Sequence, residues 1–247
     1  MSFYAAIAFV VTGAVAIAAG YAIGRMSGRT TAISGTAAGA AWLVAGLMVL
    51  TFLPWPTPLM LGIGILAWLF GVMVDHRPVP AFLRHGVALV LFGVLVVGGI
   101  PVFLLRTALG LDLPTPVLIG AILLVALVFR LASDRIVVPE THRLQAYAVL
   151  LVVPTLIMLA MVPGIASQPP FWWQAGISAM PLAMLALKRL ASAGAMGEAG
   201  GLMLGFATGY VVLNTVAFGW VDPLAWIGIG GVALAVELRS RLSPGRA

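Results

Sequence analysis

The chain has 247 residues, of which 62% are hydrophobic and 8% are charged, and its mean hydropathy is +1.16. This composition excludes a soluble domain and predicts an all-α polytopic membrane protein, with residues 1–247 forming a single integral-membrane domain. The net charge of +6 is spread over short loops, so no nucleic-acid partner is expected. Because the chain has no cysteine, it can form neither a disulfide nor a thiolate site.

Nine apolar segments are candidates for membrane-spanning helices, since a backbone in hydrocarbon must pair its own polar groups. The first has no basic residue before it, so it is expected to be retained rather than cleaved as a signal peptide. The nine segments are about Phe3–Ile23, Ala37–Leu53, Leu59–Val74, Gly86–Leu105, Pro114–Leu131, Leu144–Val162, Phe171–Leu187, Gly201–Phe218 and Leu224–Leu238.

The basic residues alternate between the loops in a way that predicts orientation. Twelve of the thirteen arginines and lysines fall in loops one, three, five and seven or in the C-terminal tail, and Arg106 is the exception. The positive-inside rule therefore puts the N-terminus outside and the C-terminus in the cytoplasm. Trp55, Trp172, Trp173 and Trp220 fall at the predicted outer interface, where aromatic belts form.

The predicted inner face holds most of the residues that could carry chemistry. All three histidines and five of the seven acidic residues fall there. These residues are His76, His85, His142, Asp75, Asp134, Glu140, Glu198 and Glu237. Any chemistry is therefore expected on the inner face.

Glu198 lies in a run of small residues, Met196–Phe206, directly before the eighth span. Gly197, Gly201, Gly205 and Gly209 recur every four residues, a spacing that lets membrane helices pack closely. Two roles for this segment are compatible. The glycine ridge packs the helix against its neighbours, and the Glu198 carboxylate lies at the N-terminal end of the ridge, where water reaches it.

Two further segments carry polar groups at the inner face. The third span ends in Val74-Asp75-His76-Arg77, which suits either a site for a metal or phosphate or an ordinary helix boundary with a solvated ion pair. On this segment alone the helix boundary is favoured. The first inner loop, Gly24–Ala40, is rich in glycine and hydroxyl groups. It suits either anion binding through Arg29 and backbone N–H groups or a flexible connection.

Together the three segments resemble the polyprenyl-phosphate N-acetylhexosamine-1-phosphate transferases. Gly197–Phe206 resembles that family's Gly-Asp-x-Gly-Ser-x-x-x-Gly-Phe element, and Val74–Arg77 resembles the Asp-Asp pair that closes its third helix. Arg29–Gly39 resembles the Arg-Ser-x-His…Pro-x-Pro-Arg-Gly-Gly-Gly loop before its second helix. The order of the segments and their side of the membrane also match, over about residues 20–240.

The resemblance implies a bacterial inner-membrane enzyme that transfers sugar-1-phosphate from a cytoplasmic UDP-N-acetylhexosamine to a polyprenyl phosphate, with Mg²⁺ bridging the diphosphate. It implies Asp75, Asp134 and Glu198 as catalytic acids, of which Asp75 and Glu198 would bind Mg²⁺. The implied substrate-binding residues are Arg29, His76, Arg77, Arg84, Arg143 and Lys188.

The sequence departs from the family pattern at several elements. His76 replaces the second acid of the pair and is a poor Mg²⁺ ligand. Glu198 is longer than the usual Asp, which moves its carboxylate by roughly an ångström. The inner loop Phe129–Glu140 keeps Asp134 but has neither the Asn nor the Gly of the family element. The family's late His-rich loop and C-terminal helices have no counterpart before Ala247.

Three hypotheses follow from these observations. In the first hypothesis, the chain is a divergent, active Mg²⁺-dependent phosphotransferase, as the collinear acids suggest. Alternatively it is an inactive relative that binds a lipid phosphate or assists envelope polysaccharide assembly, with a partner membrane protein or as a homodimer. The departures slightly favour this second hypothesis. A small transporter or channel is least favoured, because it needs ionisable residues near the bilayer midplane and the acids lie at helix ends.

Overall fold

The computed structural model describes residues 3–27, 30–53, 56–77, 79–99, 110, 140–190 and 196–242. Across these residues the chain is helical, with one short 3₁₀ turn at Ile165–Ser167 and no β-strand. The helices are α1 (Phe3–Ser27), α2 (Thr30–Leu50), α3 (Thr57–His76), α4 (Ala81–Gly99), α5 (Glu140–Met161), α6 (Pro169–Leu190), α7 (Gly197–Ala217) and α8 (Pro223–Leu242).

Six of the described helices, α1 to α5 and α7, are long and apolar enough to cross a membrane. This supports the predicted multi-pass helical membrane protein. Each of the eight helices overlaps one of the predicted spans, while the predicted fifth span, Pro114–Leu131, lies outside the described residues.

Helix α6 lies at the centre of the bundle, packed against α1, α2 and α5. Every residue from Phe171 to Pro181 is buried. The ring centroid of Trp173 lies 5.6 Å from that of Trp42 on α2 and 5.9 Å from that of Tyr210 on α7. The large buried rings therefore join α2, α6 and α7 around one core, and α7 also packs along α2 and α3.

The predicted first inner loop is mostly helix, so that prediction is wrong for residues 24–27 and 30–36, while residues 37–40 are helical as the predicted second span requires. Helix α2 begins at Thr30, and Ser34, Ala37 and Ala38 are buried along it. The physical reason is close packing by small side chains. A Cβ at Gly35 would lie 2.9 Å from the Cβ of Ala199 on α7, and the indole N–H of Trp68 donates to the Gly35 carbonyl at 2.9 Å.

The predicted glycine ridge on α7 meets neighbouring helices at two of its four positions. A Cβ on Gly197 would lie 2.7 Å from Asp75 Oδ2, and a Cβ on Gly209 would collide with the Phe92 ring on α4. No atom of another described segment lies within 4 Å of a Cβ built on Gly205, and such an atom on Gly201 meets only Met196, at 3.7 Å. Ala199, which faces Gly35 and Gly71, adds a close contact that the ridge does not include. The ridge is therefore a packing surface only in part.

Aromatic rings cluster at the end of the bundle that the sequence places outside. Tyr4 stacks on Trp172 with ring centroids 4.8 Å apart, and Phe52 meets Trp172 edge-on at 5.1 Å. Trp220 stacks on Phe218 after α7. Trp173 is fully buried inside the bundle and is not part of a lipid-facing belt. Trp55 lies outside the described residues.

Candidate functional site

Three helix ends meet where the sequence places its acidic motifs. Helix α3 ends at His76, α4 begins at Ala81 and α7 begins at Gly197. Prolines at positions 78 and 80 separate α3 from α4, and a proline disfavours helical conformation in the residue before it. The end of α3 and the start of α4 both lie beside the start of α7, through Asp75 and Arg84 respectively.

The Asp75 carboxylate caps α7 from a different helix. Its Oδ1 accepts the N–H of Glu198 at 2.6 Å and its Oδ2 accepts the N–H of Ala199 at 3.2 Å. The first N–H groups of an α-helix have no acceptor within the helix, and a negative charge there is stabilised by the helix dipole. Met196, directly before α7, supplies no capping bond from its side chain. Asp75 therefore takes the role that a Ser, Thr or Asp usually plays from within the same segment.

Two glycines make this contact sterically possible. Gly197 has a φ of +67°, a left-handed conformation that glycine adopts readily, and a Cβ on it would lie 2.7 Å from Asp75 Oδ2. A Cβ on Gly71 would collide with the Ala199 backbone. The absence of side chains at these positions lets α3 lie directly against α7 and sets the carboxylate in front of the N–H groups.

Glu198 faces Arg84 in the first turn of α4. Arg84 Nη1 and Glu198 Oε2 are 3.9 Å apart, and the two side chains are 32% and 19% exposed. A partly exposed pair at this distance contributes little stability, about 0–1 kcal/mol. Its electrostatic effect is to balance the charge of one of the two carboxylates.

His76 and Arg77 lie at the rim of the site, and both are exposed. The His76 Nδ1 atom is 2.8 Å from the Val72 carbonyl one turn earlier, so this imidazole nitrogen bonds within its own helix. Arg77 follows α3 in extended conformation, and its backbone N–H donates to the Met73 carbonyl.

The remaining sequence-predicted residues are distributed over other helix ends or lie outside the described residues. Arg143 is in the first turn of α5 and Lys188 is in the last turn of α6, each half-buried. Arg29 and Asp134 lie outside the described residues. The structure thus brings Asp75, Glu198 and Arg84 together, with His76 and Arg77 beside them in sequence.

The described residues offer an incomplete ligand set for Mg²⁺. This ion requires near-octahedral oxygen coordination. Among the residues that the structure describes, no group of three or more histidine and acidic side chains could hold a metal ion. Both Asp75 oxygens face backbone N–H groups, and Glu198 lies beside a guanidinium.

The capping role of Asp75 was not predicted from the sequence. One local signal was available, because Met196-Gly197 precedes an apolar run without any capping side chain. The identity of the missing acceptor could not be found this way, since it lies 123 residues earlier in the chain.

No protein-family model matches the chain, and no curated protein and no solved structure is significantly similar to it. A function must therefore be argued from the site and not from a relative.

Proposed function

We propose that the protein is a catalytically inactive relative of the polyprenyl-phosphate N-acetylhexosamine-1-phosphate transferases in the bacterial inner membrane. It binds a polyprenyl phosphate and acts as a partner in envelope polysaccharide assembly. The observation that carries this proposal is the use of both Asp75 oxygens as the N-terminal cap of α7. In the family that the sequence resembles, this position would hold a metal-binding acid.

The proposed topology has nine membrane-spanning helices, an outside N-terminus and a cytoplasmic C-terminus. The packing supports a common side for the inner segments, because the end of α3 and the starts of α2 and α7 meet at Asp75, Gly35 and Ala199. At the other end of the bundle, Tyr4 and Phe52 contact Trp172, as aromatic residues at an interface would. The site then opens to the cytoplasm.

Loss of the metal role is supported by the energetics of the cap. If the Asp75 carboxylate turned away to bind a cation, two backbone N–H groups of α7 would lose their acceptor. Loss of an N-terminal cap costs about 0.5–2 kcal/mol. His76, which replaces the second acid of the family pair, bonds within its own helix. Asp75 and His76, the counterparts of the family's acid pair, therefore both form hydrogen bonds to helix backbone.

Binding of a lipid phosphate is supported by the basic groups around the cap. Arg84 lies in the first turn of α4 and is about a third exposed, and Arg77 is exposed immediately after α3. Guanidinium groups bind phosphate oxygens through charge-assisted hydrogen bonds. At the cytoplasmic membrane surface these side chains would meet the headgroup of a polyprenyl phosphate while its chain stays in the bilayer.

A second candidate is an active transferase that uses Mg²⁺ and a UDP-N-acetylhexosamine. One specific observation favours it: Asp75 and the first turn of α7, which carries Glu198, meet at one end of the bundle although they are 123 residues apart. The resemblance also predicts that Asp75 and the start of α7 lie in one site. In this candidate Asp134 would supply a further acid.

The test is the thermal stability of the detergent-purified protein with each candidate ligand. A ligand at about a hundred times its dissociation constant stabilises the folded state by about 2.7 kcal/mol. We expect a short polyprenyl phosphate to raise the unfolding temperature, the matching polyprenol to leave it unchanged, and Arg84→Gln to reduce the phosphate effect.

The same experiment separates the two candidates. We expect no shift with UMP or UDP-N-acetylhexosamines, with or without Mg²⁺. A Mg²⁺-dependent nucleotide shift that disappears in Glu198→Gln would overturn the inactive assignment and support the transferase. Equal effects of the phosphate and the alcohol would overturn the lipid-phosphate site.

A further inference from the structure

The buried polar side chains are concentrated in the half of the bundle away from the acidic site. Helices α1, α3 and α6 begin at that end and α7 finishes there. Seven of the eight buried polar side chains among the described residues lie in this half, with Ser34 as the exception. The seven are Thr12, Thr57, Thr155, Gln174, Ser178, Asn214 and Thr215.

The best-defined group joins α5 and α6. The hydroxyls of Thr155 and Ser178 are 2.8 Å apart, and both approach the Leu151 carbonyl, at 2.8 and 2.9 Å. The Gln174 side-chain N–H₂ group donates to Thr155 at 3.3 Å and to the sulfur of Met158 at 3.0 Å. All five residues of this group come from two adjacent helices.

The group has more acceptors than donors. Each hydroxyl carries one proton, yet Ser178 Oγ lies within hydrogen-bond distance of the Leu151 carbonyl, the Gln174 carbonyl and Thr155 Oγ1. Prolines at positions 154 and 181 lie inside α5 and α6, and their nitrogens cannot donate to the carbonyls one turn earlier. The two hydroxyl protons therefore cannot serve all the acceptors within reach at once.

Gln174 identifies where one donor is required. Its side chain is 0% exposed, and its Oε1 atom has no hydrogen-bond partner among the described residues. Rotating the amide by half a turn would exchange Oε1 and Nε2 and place the nitrogen in the position that has no partner. One amide atom thus needs a further partner in either orientation. That partner must be small and uncharged, because an unpaired charge is expensive in a membrane interior.

We propose that this α5–α6 group binds an internal water molecule through the side-chain amide of Gln174. Water is the smallest ligand that can both donate and accept, and buried waters in proteins typically satisfy polar groups of this kind. Thr12 Oγ1, Thr57 Oγ1, Trp173 Nε1 and Asn214 Nδ2 are also buried without a hydrogen-bond partner among the described residues, all in this half. The proposed water site at Gln174 is independent of the function proposed for the acidic site.

The test is radiolytic footprinting, in which hydroxyl radicals form from bound water and oxidise the nearest methionine. Met158 is 0% exposed, and its sulfur is 3.0 Å from Gln174 Nε2. Met184 and Met203 are equally buried and serve as matched controls in the same chain. We expect Met158 to oxidise several-fold faster than both controls in the folded protein, and to fall to their rate in Gln174→Leu.

Two outcomes would overturn the proposal. Oxidation of Met158 no faster than that of Met184 and Met203 would mean that no water lies beside it. Fast oxidation of Met158 that persists in a folded Gln174→Leu protein would mean that water is present but is not held by the amide. Circular dichroism and the unfolding temperature of each variant establish that the comparison is made on folded protein.

Discussion

At the residue scale, Asp75 is expected to matter more for stability than Glu198, although both are acids of the same site. Asp75→Ala removes the acceptor of two N–H groups at the start of α7 and should lower the free energy of unfolding by about 0.5–2 kcal/mol. Glu198→Gln removes the charge that faces Arg84 and should change the free energy of unfolding by less than about 1 kcal/mol. Equilibrium unfolding in detergent compares the two, and equal losses would contradict the capping role.

Gly197 gives a second prediction at this scale, with Gly205 as its control on the same helix. Gly197→Ala should destabilise the protein by about 1 kcal/mol or more, because φ is +67° and the new Cβ would meet Asp75. Gly205→Ala should instead stabilise it by up to about 1 kcal/mol, since the position is helical and exposed and its Cβ meets open space within the described residues. Unfolding temperatures that shift in the same direction would be inconsistent with this local geometry.

At the element scale, the pairing of α5 with α6 should depend measurably on Thr155 and Ser178. Hydrogen bonds between membrane helices contribute about 0.6 kcal/mol on average and up to about 1.7 kcal/mol. A double-mutant cycle with Thr155→Val and Ser178→Ala should give a coupling energy in this range, because the hydroxyls are 2.8 Å apart. The cycle of Thr155→Val with Ser34→Ala on α2 is the control and should be additive, and equal coupling in both would contradict the contact.

The elements themselves were largely predictable, and the corrections have local causes. Long apolar runs are sufficient to find the helices, because hydrocarbon admits little else. The start of α2 was missed because Thr30–Thr36 resembles a polar loop, whereas Gly35 packs against Ala199 on α7 and its carbonyl accepts from Trp68. The glycine spacing on α7 predicted one continuous packing face, whereas neighbouring helices approach closely at Gly197 and Gly209 and not at Gly201 or Gly205. Which face is buried depends on neighbouring helices, and the periodicity of one segment cannot supply that information.

At the scale of the whole molecule, the meeting of Asp75 with α7 could not be obtained from any single segment. It depends on the absence of side chains at Gly71 and Gly197 and on the small side chain of Ala199, which together let α3 approach α7. Only the resemblance suggested that the two acidic motifs share a site. It suggested a metal site, whereas the described contacts are those of a helix cap.

The proposed orientation gives a prediction that uses the absence of native cysteine. Ser167 and Arg189 are exposed at opposite ends of α6, and each can be replaced by a single Cys. In intact cells from which the outer membrane has been removed, a membrane-impermeant maleimide should label Ser167→Cys. Arg189→Cys should react only after permeabilisation. The reverse pattern would show that the N-terminus is in the cytoplasm.

The central claim is that the acidic site holds α7 in place and does not catalyse transfer. It is tested most directly by release of UMP from UDP-N-acetylglucosamine in the presence of polyprenyl phosphate and Mg²⁺, with purified wild-type protein and the folded Glu198→Gln variant. We expect the wild-type protein to release no more UMP than the variant. Mg²⁺-dependent release by the wild-type protein that is lost in Glu198→Gln would contradict the claim and identify an active transferase.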